Sequence, residues 1–138
     1  MRFMVLVKST PDSEAGVMPG AELIEAMGRF NQGLIDAGMM KDGAGLHPSS
    51  RGARITFDGD ARTVVPGPFE GELLSGYWMV EAPSLEAVVE RFKSCPSPHP
   101  GVRTHIEIRK LFEPEDFTNA SPELIAAERA FLDAARAG

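Results

Sequence analysis

The chain has 138 residues, a formal net charge of −6 and a sequence pI near 5.0. This acidic balance argues against nucleic acid or an anionic membrane as the main partner, because both reward a basic surface. Hydrophobic residues make up 43% of the chain and charged residues 25%, which suits one packed domain that needs no disulfides.

A single cysteine, Cys95, excludes an internal disulfide and a multi-thiolate metal site. No apolar run is long enough to span a bilayer, and no basic-then-apolar leader is visible, so a cytoplasmic location is expected.

Phe3-Met4-Val5-Leu6-Val7 reads as a central strand, apolar on both faces. Pro11 to Gly20, with two glycines and two prolines, reads as a loop. Ala21 to Ala37 is a helix: Leu23, Met27, Phe30 and Leu34 recur at helical spacing, and Gly38 stands where a left-handed cap belongs. Gly28 and Gly33 weaken this helix and would permit a close neighbour.

Met39 to Gly45 is a weak strand and Leu46 to Ser50 a turn. Arg54 to Phe57 and Ala61 to Val65 are strands joined at Asp58-Gly59, which predicts a hairpin with a type I′ turn. Pro66 to Gly71 is a further loop. Tyr77 to Val80 is a second central strand, and Ser84 caps a helix over Leu85 to Ser94. Thr104 to Arg109 alternates, with Ile106 and Ile108 on one face and His105, Glu107 and Arg109 on the other. Ser121-Pro122-Glu123 opens a last helix carrying Leu124, Ile125, Phe131 and Leu132. The order predicts an α+β, ferredoxin-like split βαβ with an inserted β-hairpin and a C-terminal helix. Both central helices would cover one sheet face and leave the other in need of a cover.

Met1 to Lys8, the Gly45-to-Ser50 turn, Gly67-Pro68-Phe69 and Gly76-Tyr77-Trp78 resemble the YCII-related family with its DGPF motif. Cys95 to His99, Ile106 to Arg109, Leu111-Phe112-Glu113 and Glu115-Asp116-Phe117 resemble it too, in the expected order. The resemblance implies a YCII-related domain over residues 1–117, with 118–138 as its C-terminal helical extension. It also implies the dimeric α/β-barrel superfamily, in which two sheets pack face to face, hence a homodimer. The family's biochemical roles are largely unassigned; some members carry a histidine and an aspartate together in a pocket. This chain departs from the motif: Pro66 stands where the aspartate is usual, the following loop is shortened, and the motif lysine is absent. Glu72 takes the acidic position.

Three histidines are present. His47 is the candidate general acid or base, since histidine changes charge nearest neutral pH. Glu72 is its candidate partner, through a hydrogen bond or a water bridge, and Arg51 and Phe69 are the candidate ligand-binding residues. The plain alternative makes His47 a turn residue and Glu72 a solvated carboxylate. His99, between Pro98 and Pro100, is read as a loop residue before a pocket-rim residue. His105, Glu107 and Arg109 are read as sheet-face polar pairs or dimer contacts. Cys95, at the wrong end of a helix for activation, is read as an inert thiol. The histidine spacings match no metal motif, so neither metal nor cofactor is expected. The expected function is a small-molecule-binding or enzymatic homodimer; a non-catalytic interaction or regulatory module is the alternative.

Overall fold

The computed structural model describes residues 1–137. Its elements are β1 (Arg2–Lys8), α1 (Pro11–Glu14), α2 (Ala21–Asp36), β2 (Met40–Gly45), β3 (Ala53–Asp58) and β4 (Ala61–Pro66). They continue with β5 (Leu74–Glu81), α3 (Leu85–Phe92), β6 (Ile106–Lys110) and α4 (Pro122–Ala137); short 3₁₀ turns lie at Ser49–Arg51 and Pro114–Asp116. The four-stranded sheet runs β2-β5-β1-β6 with every neighbour antiparallel, and β3 and β4 form a separate two-stranded ladder. This is the ferredoxin-like split βαβ, with the hairpin inserted between β2 and β5. Gly138, at the end of the expected extension, lies outside the described residues.

Strand alternation divides the sheet into two unlike faces. Phe3, Val5 and Val7 of β1 stand opposite Val80, Trp78 and Gly76 of β5 and are buried beneath the helices. Leu34 of α2 and Val88 and Phe92 of α3 complete this core. At its centre Phe30, Trp78 and Phe92 meet edge to face, with ring centroids 5.1–6.2 Å apart. The Trp78 indole N–H donates to Asn31 Oδ1 at 2.8 Å, so the ring is buried without an orphan donor. The opposite face carries Met4, Leu6, Tyr77 and Met79, none of them fully buried.

The helix boundaries follow their caps. Ala37 ends α2, and Gly38 takes the left-handed conformation at φ +71°. The Ser84 hydroxyl accepts the Ala87 N–H at 3.1 Å to start α3. Gly28 and Gly33 have no close neighbour: a Cβ at either would meet nothing within 4 Å.

Two expectations are corrected. The segment read as loop from Pro11 opens with the one-turn helix α1, because Thr10 and Ser13 form a reciprocal capping box and proline suits the first turn. The β3–β4 turn places Gly59 and Asp60 at its centre, and only Gly59 has positive φ, at +57°. That is the type II′ pattern; type I′ requires positive φ at both central residues. No helix among the described residues is long and apolar enough to cross a membrane.

Candidate functional site

One serine ties together the three segments that build the site. The α1 capping box directs the Glu14 carboxylate at Ser49, where it accepts the backbone N–H at 2.9 Å and the hydroxyl proton. The Ser49 hydroxyl in turn accepts the Phe69 N–H at 2.9 Å. The Ser49 hydroxyl, and then its backbone N–H, hold the Glu14 carboxyl below its ordinary range. Gly67 donates its N–H to the Gly52 carbonyl at 2.9 Å and precedes a cis bond to Pro68. A Cβ at Gly67 would fall on the Ser49 carbonyl, 2.6 Å from its carbon. Only glycine permits this approach, which brings Phe69 beside the Ser49–Arg51 turn.

A cavity of about 470 Å³ opens at this end of the sheet, and His47, Arg51, Phe69 and Glu72 all line it. Leu46, Leu73 and Leu74 give it an apolar wall. Arg54 also lines it, with its guanidinium 4.0 Å from the Phe69 ring centroid. The four residues singled out from the sequence thus share one concave surface. His47 and Glu72 share no hydrogen bond, however. His47 is exposed, and Glu72 is turned toward Lys8, with Oε2 3.8 Å from Nζ and the carboxylate side chain 79% exposed. Lys8 lies between Glu72 and Glu107, the latter at 3.7 Å. Arg109 and then Lys8 lower the Glu107 carboxyl.

His99 is half-buried outside the cavity lining, with Nε2 2.9 Å from the Lys8 carbonyl. A carbonyl only accepts, so Nε2 carries the proton, and the ring ties the proline-rich loop to the end of β1. His105 is exposed, while Glu107 accepts a hydrogen bond from Arg109 at 3.2 Å as a surface pair. Cys95 is half-buried, and burial pushes its thiol up to about 11, so little reactive thiolate is present near neutral pH. No cluster of three or more His, Cys, Asp or Glu among the described residues is arranged to hold a metal ion.

Glu14, Ser49, Arg54 and Lys8 also build or border the site and went unread in the sequence. Glu14 had a legible signal. Thr10-Pro11 is a cap followed by proline at the first helical position, the same pattern that marks Ser121-Pro122. The others carry no local signal, because their roles depend on partners far along the chain.

An antiparallel split βαβ sheet, helices on one face and a cavity beside an inserted hairpin, defines a ferredoxin-like α+β protein. Residues 1–112 match the model of the YCII-related domain, and the chain belongs to that family. Among solved structures it is similar to 5-chloro-2-hydroxyhydroquinone dehydrochlorinase from Burkholderia phenoliruptrix AC1100, in complex with 2,5-dihydroxybenzoquinone. The identity is 15% and the TM-score 0.49, over 84% of this chain and 98% of that one. No curated protein matches the chain.

Proposed function

We propose that this chain is a small-molecule-binding homodimer in which His47 transfers a proton to or from the bound molecule. The observation that carries this reading is the convergence of His47, Arg51, Phe69 and Glu72 on one partly apolar cavity. Concave sites with an apolar wall and a few polar groups are where small ligands bind. In this reading Phe69 supplies the packing surface, Arg51 orients the ligand, and His47 is the acid or base. Glu72, which leans toward Lys8, swings to His47 or reaches it through water when the ligand is bound. The uncovered sheet face supports a homodimer, because Met4, Leu6, Tyr77 and Met79 are partnered by neither central helix.

A fragment library screened by protein-observed NMR tests the binding reading. The perturbations are expected to gather at His47, Phe69 and Leu74, and scatter over the surface would overturn it. If His47→Ala leaves fragment affinity and any turnover unchanged, the histidine is a turn residue and the acid–base role is withdrawn.

The interaction-module reading has one observation of its own. Phe112 and Phe117 stack at 5.5 Å, and Phe112, Leu124 and Phe131 are exposed around α4. Exposed apolar groups gathered in one region mark contact surfaces. Perturbations confined to α4 in the same screen would favour this reading over the cavity.

A further inference from the structure

We infer that the cavity takes a small organic carboxylate with an apolar or aromatic body; this rests on the ligand-binding reading proposed above. The chain as a whole is acidic, at −6, yet its cavity is lined by two arginines and only one carboxylate, Glu72. Glu72 is mostly exposed and already faces Lys8, so it does not neutralise them. Among the described residues, neither Arg51 nor Arg54 forms an ion pair, and neither guanidinium donates a hydrogen bond. Each offers five N–H donors in a planar fork, the geometry that matches a carboxylate in bidentate fashion. The Arg54 fork is also held in place. Its central carbon lies 4.0 Å from the Phe69 ring centroid, and the Phe69 backbone is itself fixed by Ser49. The ring restrains the guanidinium while its N–H donors stay unspent, so a ligand anion meets a fork that is partly pre-organised. Beside these donors, Phe69, Leu46 and Leu74 offer apolar surface for the rest of the molecule. A fully polar anion would leave that surface unused, and a neutral apolar molecule would leave the guanidinium donors unspent.

Benzoate and its neutral isostere benzamide separate these cases. Each is titrated into the full chain at low salt, with the Phe69 and Leu74 amide resonances followed by NMR. Benzoate is expected to bind at least roughly tenfold more tightly than benzamide, the scale of a charge-assisted hydrogen bond. Added salt should weaken benzoate and leave benzamide unchanged. Arg54→Met combined with Arg51→Met should abolish the preference while the dispersion of core resonances shows the fold intact. Equal or tighter binding of benzamide at the same resonances overturns the carboxylate assignment and leaves the ligand-binding reading standing. If neither compound moves those resonances, both are overturned.

Discussion

Ser49 donates one hydroxyl proton to Glu14 and accepts the Phe69 N–H, so a single side chain ties three segments together. Gly67 makes that geometry possible by leaving room for the Ser49 carbonyl. Gly67→Ala sets a Cβ against backbone, which cannot swing aside as a flexible side chain would. It is expected to cost roughly 2–3 kcal/mol, read from urea unfolding. Gly33→Ala is the contrasting case. Its Cβ meets nothing within 4 Å in the interior of α2, so it should stabilise the protein by about 0.5–1 kcal/mol in the same assay. The Glu14 carboxyl supplies a pH dependence. Its folded value lies below the ordinary 4.5, because the ionised form accepts the Ser49 hydroxyl and N–H bonds. Its contribution is therefore complete above about pH 4.5 and is lost as pH falls through the lowered folded value. Hydrogen-exchange protection of the Ser49 and Phe69 amides should drop in that acid range. Glu14→Gln should lower protection at neutral pH and flatten the profile; an unchanged profile would separate Glu14 from the loop tie.

The β3–β4 hairpin has no buried residue on either strand. Two-stranded ladders are marginal in water on their own, so this arm is short of packing. Register puts Ile55 opposite Val64 and Phe57 opposite Arg62, all on one face, with the Arg62 guanidinium 4.5 Å from the Phe57 ring centroid. Phe57 is 70% exposed and Val64 65%. An arm of this kind gains by laying its apolar face on a partner, which in the proposed homodimer is the second copy. Ile55→Asp with Phe57→Asp is expected to weaken self-association at least roughly tenfold in sedimentation experiments, while far-UV circular dichroism stays unchanged. Unaltered association would assign the arm to another role. By contrast, α4 is moored by charge. Arg129 reaches both Glu113 and Glu115, and Glu113 is itself held by Arg2 in a two-bond pair at 2.7 and 3.1 Å.

At the scale of the whole molecule the helices bury one sheet face and leave Met4, Leu6, Tyr77 and Met79 half-buried on the other, with charged residues such as Lys8, Glu107 and Arg109 beside them. A two-fold interface lets that one surface cover itself, which is how isologous dimers form. Light scattering at micromolar concentration is expected to return twice the 14.9 kDa chain mass. A monomeric mass there would remove the homodimer from the proposal, and with it the cover for Met4, Leu6, Tyr77 and Met79.

The elements were legible because their causes are local. The Phe3–Val7 run, the helical spacing from Leu23 to Leu34, the Gly38 and Ser84 caps and the Asp58-Gly59 hairpin signal each act within a few residues. Their order was enough for the ferredoxin-like topology, and the motifs from Met1 to Phe117 pointed to the family. Even the α1 capping box could have been read, since Thr10-Pro11 obeys the rule that located α4. The site was legible only as a set of residues. Glu14 and Ser49 are 35 positions apart, Ser49 and Phe69 are 20, and His99 and Lys8 are 91. No periodicity links such positions. Only the folded backbone decided that the Phe69 N–H faces the Ser49 hydroxyl, that the Arg54 guanidinium sits over the Phe69 ring, and that Glu72 turns to Lys8 and shares no hydrogen bond with His47. Hydrogen bonds and ion pairs depend on distance and direction, and between distant segments both are set by tertiary packing.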